Sequence, residues 1–305
     1  MTLTKKQKGL YLALGTAVIS GFSVFFNSFA AKSASNPYIL TTTKNIIVAL
    51  LLGCLILTPL IRTKLKTLTK HDWLKLILIG LIGGSIPFLL FFKGLSMSNA
   101  VNAGFIHKTL FIWVTILAIP LLKEKLSKIQ LTAAIMLFVG NFFLIGINSW
   151  SFGKADLLIL LATLFWSAEF VFAKKLLQQI DAKILAWARM FFGSFFMIIF
   201  IFATNQGAQF FSLNTASWSW IILTAIFLFA YVLTWYNALK KLPASIVASI
   251  LVIASPITTL LKNIFISNTY SAHQVIGSLI ILSAIIGISI FFYKFKKHET
   301  GKQTI

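Results

Sequence analysis

Four ionisable side chains stand where charge is costly. Lys44, Lys108, Glu169 and Arg189 each lie inside a long apolar run, and a charged group at the centre of a membrane helix costs about 2.5 to 3.5 kcal/mol on insertion scales. Each therefore asks for a partner, a ligand or a water-filled cavity. Glu169 precedes Lys174 by 5 residues and Arg189 follows Ile184 by 5, so at about 1.5 Å per residue both sit about 7 to 8 Å from the same end of a helical hairpin and can meet. Such a pair either satisfies two buried charges, or Glu169 exchanges Arg189 for a proton or a cationic group of a ligand.

Lys44 has no acidic mate nearby in sequence. It lies about 9 Å inside its run, within snorkelling reach of the surface. Lys108 is about 12 Å deep, next to His107 and flanked by Phe105 and Phe111. Three basic groups against one acidic leave an excess of positive charge inside the apolar runs, which favours an anionic ligand. Lys108 then binds a carboxylate or phosphate, or is held uncharged by burial. His107 titrates near neutral pH or serves as a hydrogen-bond partner. The rings of Trp166, Tyr231 and Trp235 lie within runs rather than at their ends, and line a binding site or pack. Asn102, with Asn237, is expected at the mouths of that site. Pro87 and Pro256 remove helix hydrogen bonds and kink their helices, as hinges or as static bends.

The elements that must carry these groups follow from composition. The 305 residues are 58% hydrophobic and only 11% charged, with mean hydropathy +0.92 and a net charge of +21. Soluble domains are about 25% charged. The polar side chains are too few to cover a soluble surface, and the basic excess marks loops rather than a nucleic-acid patch. Ten apolar stretches reach the length of about 20 residues that spans a bilayer. They run from Gly9 to Ala30, Tyr38 to Leu60, Trp73 to Phe92, Ala100 to Leu122, Ile129 to Ile147, Ala155 to Lys174, Ile184 to Phe202, Trp218 to Leu239, Ala244 to Ile264 and Gln274 to Phe292.

Threading these spans alternately across a bilayer puts 20 of the 27 basic residues on one side and 4 on the other. Because Lys and Arg are retained in cytoplasmic loops, both termini are expected in the cytoplasm. A shift of about 144 to 146 residues brings the halves into register: "FFKGLSMSNAVNAGF" (Phe91 to Phe105) falls on "WYNALKKLPASIVAS" (Trp235 to Ser249), Lys44 on Arg189, and Ser23 on Glu169. Five spans per half is odd, so the expected architecture is all-α and integral to the membrane: ten transmembrane helices as two inverted five-helix repeats, residues 1–147 and 148–305. Inverted repeats characterise transporters whose site lies between the halves.

These features together resemble the drug/metabolite transporter superfamily, and its EamA type most closely. They are the two five-helix repeats, Tyr236, Ala238 and Leu239 before an Ala-rich helix, the basic residue of each second helix (Lys44, Arg189) and the acidic Glu124 ending the fourth. Two departures are Asn268 in place of a second Glu124, and Ser20-Gly21 where the sixth helix has Trp166-Ser167. The resemblance implies ATP-independent movement of a small metabolite, such as an amino acid, across the inner membrane. Export of an amphipathic carboxylate by alternating access is the expected activity, with proton coupling through Glu169 as an option. A channel or facilitator is the first alternative, an intramembrane enzyme the second. Against the enzyme stand the absence of a complete nucleophile elbow, a phosphate-binding loop, paired carboxylates or a Cys/His cluster; no cofactor, metal or nucleic-acid partner is expected.

Overall fold

The computed structural model describes residues 3–33, 36–97, 100–145 and 152–300, and the regular elements among them are all helical. The first two helices are α1 (Lys5–Ser33) and α2 (Pro37–Ile56). Proline suits the first turn of α2, where its missing N–H would have no intrahelical acceptor, and the Asn36 side chain accepts from the Tyr38 N–H. The expected second span, Tyr38 to Leu60, ends four residues early, and a short basic helix, α3 (Pro59–Lys66), takes up its last two residues and the connection that follows; Ile61 is buried and Leu60 exposed. The third span is α4 (Lys70–Ile79), a π-helical stretch at Gly80–Ser85 and α5 (Ile86–Met97). The fourth is α6 (Ala100–Lys108) and α7 (Leu110–Leu122), followed by α8 (Lys128–Ile145).

In the second half come α9 (Lys154–Leu176), α10 (Ala182–Ala203) and α11 (Thr215–Lys241). The ninth span is α12 (Ala244–Ile250), a 3-10 turn at Leu251–Ile253, α13 (Ala254–Lys262) and a π-helical end at Asn263–Ser267; α14 (Ala272–Thr300) closes the fold. Among the described residues nine segments are long and apolar enough to cross a membrane, and the apolar stretch Lys128–Leu144 is shorter. The expected span Ile129 to Ile147 therefore ends beyond the described residues.

The fourth span, expected as one continuous helix, is broken, and so is the ninth, where Pro256 predicts a kink. The fourth span turns at Thr109, whose N–H is shared between the carbonyls of Phe105 and Ile106 while its own carbonyl accepts from Ile112. Its hydroxyl donates to the Ile106 carbonyl and accepts from the Trp113 indole N–H, the kind of back-bonding that bends helices. Under the 144-residue shift Thr109 falls on Ile253, inside the 3-10 turn of the ninth span.

The packing partners exchange roles between halves. α1 packs on α11 as α9 packs on α5; α1 packs on α13 as α9 packs on α6 and α7; α2 and α10 pack on each other, as do α8 and α14. In lipid, close packing rather than hydrophobicity draws helices together, and small residues allow it. A Cβ on Gly140 would meet the Gly277 carbonyl at 2.9 Å, so α8 and α14 touch through backbone. Gly84 and Gly193 do the same between the π-helical stretch and α10. Side chains such as Leu50, Phe195, Ile226 and Leu279 are exposed on the outside, as a lipid-facing surface requires.

One end of the bundle is tied by polar contacts between halves. The Glu124 carboxylate accepts from the N–H groups of Ala244 and Ser245 at 2.6 and 3.1 Å and from the Ser245 hydroxyl at 2.5 Å. It thereby caps the N-terminus of α12. Lys174 donates to the Leu239 and Leu242 carbonyls at the end of α11, both at 2.6 Å. Asn268, the counterpart of Glu124, is exposed, with a left-handed φ of 50°.

Candidate functional site

A cavity of about 170 Å³ opens among α1, α2, α5, α6, α9, α10 and α11 and the ninth span, so both halves wall it. That is close to the ~150 Å³ pocket that holds a benzene ring. Four basic residues line it, Lys44, Lys108, Arg189 and Lys262, against one acidic, Glu169.

Glu169 and Arg189 do meet. Nε of Arg189 lies 2.9 Å from Oε1 of Glu169, and neither side chain has more than marginal exposure. Tyr236 donates its hydroxyl to the same Oε1 at 2.6 Å. Gly83 makes room, since a Cβ there would run into the Glu169 side chain. The guanidinium is held between the rings of Phe88 and Trp235, 5.4 and 5.3 Å from their centroids, a cation–π arrangement suited to its flat, weakly hydrated surface. Among the described residues Oε2 of Glu169, Nη1 of Arg189 and Nε1 of Trp235 have no hydrogen-bond partner although they are buried. Buried polar atoms are normally satisfied, so these three are exceptions clustered in residues that wall the cavity.

Lys44 does not snorkel. Its side chain is 2% exposed and turned inward: Nζ donates to Oδ1 of Asn27 at 3.0 Å and sits 4.0 Å from the centroid of Phe92. Nearness to a surface along the helix axis does not fix the direction of the side chain, and Asn27, Ser23 and the Phe92 ring give this ammonium a polar and aromatic seat that lipid headgroups would otherwise supply.

Lys108 is the last residue of α6, immediately before the Thr109 turn, and reaches the cavity at 9% exposure. Among the described residues no carboxylate pairs with it. His107 lines the same wall. Its ring, Phe91 and Trp166 form a triangle with centroids 5.0 to 5.3 Å apart, and its Nδ1 has no partner. Trp166 donates its indole N–H to the Gly83 carbonyl at 3.0 Å. That carbonyl is four residues before Pro87, which has no N–H to give it. A cavity-lining ring is thus fastened to the irregular part of the third span.

Tyr231 and Trp235 also line the cavity, stacked with centroids 6.0 Å apart. Pro87 follows the π-helical stretch and Pro256 follows the 3-10 turn, both buried beside local helix distortions. The Asn102 side chain lies outside the described residues. Asn237 is not among the residues that line this cavity; its side chain donates to the Leu233 carbonyl of its own helix at 2.8 Å. Sequence reasoning missed Asn27, Phe88 and Phe92 and the hydrogen-bonding role of Tyr236. A signal existed for Asn27 alone, since Ser20, Ser23 and Asn27 recur at i, i+3 and i+7 on one helix face.

Two stretches of the chain, residues 7–146 and 153–290, match the model of the EamA-like transporter family. An uncharacterized transporter of Archaeoglobus fulgidus is 25% identical over 288 residues, covering 93% of this chain and 87% of its own. The uncharacterized transporter YetK of Bacillus subtilis is 24% identical over 310 residues, covering 97% and 90%. A protein of known crystal structure superposes with a TM-score of 0.72 at 14% identity, over 92% of this chain and 97% of the other, a likeness of fold.

Proposed function

Since the chain belongs to the EamA-like transporter family and is a multi-pass membrane protein, we propose that it is a ten-helix secondary transporter that exports a small amphipathic carboxylate across the inner membrane by alternating access. The observation that carries this reading is the ring-lined cavity walled by both halves, with basic groups in excess over the one acidic group. Anionic ligands gain from such a low-dielectric, positive site. Lys108 takes the substrate carboxylate, and the rings of Trp166, His107, Tyr231 and Trp235 hold its apolar body.

Residues 1–147 and 148–305 act as the two inverted repeats. The role exchange of packing partners supports this, as do the matched interruptions at Thr109 and Leu251–Ile253. The 20 to 4 split of basic residues supports cytoplasmic termini. Glu169 is the group positioned to trade Arg189 for a proton, since it lines the cavity and its buried Oε2 has no hydrogen-bond partner among the described residues.

A thermal-shift screen of carboxylates on the purified protein identifies the ligand, since binding to the folded form raises apparent stability. The best hit should then show saturable counterflow in proteoliposomes. Lys108→Met should raise its half-saturation concentration at least about tenfold, the loss of one charge-assisted contact. Unchanged affinity would end the Lys108 assignment, and flux that never saturates would make the protein a channel.

A further inference from the structure

The two halves treat equivalent cations differently. Arg189 is closed by a carboxylate at 2.9 Å. Its counterpart in the first half, Lys44, meets only the amide oxygen of Asn27 and the face of Phe92, because Ser23 stands where the second half has Glu169. Among the described residues no carboxylate pairs with Lys44. An ammonium has three donors, and Asn27 takes one. The Asn27 amide is itself fixed, its Nδ2 donating to the Ser23 carbonyl at 2.8 Å and to the Ser23 hydroxyl at 3.1 Å. Ser20, Ser23 and Asn27 form one stripe of α1, and together with Lys44 they line the cavity.

We propose that Lys44 with Ser20, Ser23 and Asn27 is a second anion subsite, in which a substrate carboxylate occupies the place that Glu169 holds in the other half. With Lys108 taking the first acid group, the substrate is a small dicarboxylate. Phe91 packs against His107, the neighbour of Lys108 in sequence, and Phe92 lies under Lys44; both rings line the cavity, and the carbon frame rests on them. This rests on the carboxylate reading of Lys108. The Glu169–Arg189 pair is neutral in sum, so a dianion answers Lys44 and Lys108, to which the described residues bring no carboxylate.

Calorimetric titration of the purified full chain at neutral pH with benzoate, phthalate, isophthalate and terephthalate tests this, since the three diacids offer three rigid spacings on a ring that fits the cavity. At least one diacid should bind about tenfold tighter than benzoate, a gain that Lys44→Met cancels while leaving benzoate within about twofold. Ser23→Glu, which gives Lys44 an internal counter-ion, should cancel the same gain and serves if Lys44→Met does not fold. Diacids no tighter than benzoate, or a gain that survives either folded variant, overturns the subsite. If benzoate binds in a Lys108-dependent way without any diacid gain, the proposed carboxylate site stands and this subsite alone falls. If none of the four acids binds, both fall.

Discussion

Removing either charge of the Glu169–Arg189 pair leaves the other buried and alone, which typically costs about 3 to 5 kcal/mol. Glu169→Gln and Arg189→Met should each lower the melting temperature and the yield of monodisperse protein, while the double variant with leucine and methionine regains most of the loss. Substrate counterflow by that double variant would show a purely structural pair; a folded but inactive double variant would show that Glu169 acts in transport. The pair was legible in the sequence because intramembrane charge is rare and helix depth is simple arithmetic. The third partner, Tyr236, was not, since a tyrosine in an apolar span reads as packing until its hydroxyl is seen 2.6 Å from a carboxylate. Lys44 was misjudged because depth along a helix says nothing about which way four methylenes turn.

At the level of elements, the irregular third span depends on a side chain from another helix. Trp166→Phe keeps an aromatic ring but leaves the Gly83 carbonyl without its donor, a loss of about 1 to 3 kcal/mol for a buried polar group. Pro87→Ala supplies a backbone N–H in the same place, so the double variant should recover stability; hydrogen exchange across 80–90 and thermal melting check both. Outside the membrane spans, Asp181 links α10 to α3: it caps Lys183 and accepts from Lys64 at 2.7 Å. Partial burial works to raise its carboxyl, yet the Lys64 and Lys183 hydrogen bonds win and hold it below the ordinary value. Its contribution is therefore complete above the unfolded value of about 3.9 and fades as pH falls through the lower folded one. Asp181→Asn should flatten that acid limb in melting curves taken from pH 6 to 3. The apolar runs were legible as helices because lipid leaves few other options. Of their interruptions, those beside Pro87 and Pro256 were signalled by the prolines, whereas the break at Thr109 was not: hydropathy has no term for a threonine hydroxyl that competes with the helix, and α3 is shorter than any window that detects a span.

For the whole molecule, the basic residues predict orientation. A fluorescent protein fused to the C-terminus should mature and fluoresce in the cytoplasm, whereas a C-terminal alkaline phosphatase should stay inactive; the reverse result would invert the proposed topology. The internal correspondence of the halves was visible as an offset between residues, but what it organises, a cavity in which Arg189 has a carboxylate partner and its counterpart Lys44 has an amide and a ring, emerges only in three dimensions. The pair of α8 and α14 has a different lesson. Their backbones touch at Gly140 and Gly277, and among the described residues neither helix contributes to the cavity wall. The cavity and this close helix pair thus lie on separate parts of one chain. Fluorophores or affinity handles attached at the exposed ends of these helices, at Lys128 or Ala272, rather than on their lipid-facing sides, have a place to sit away from the cavity.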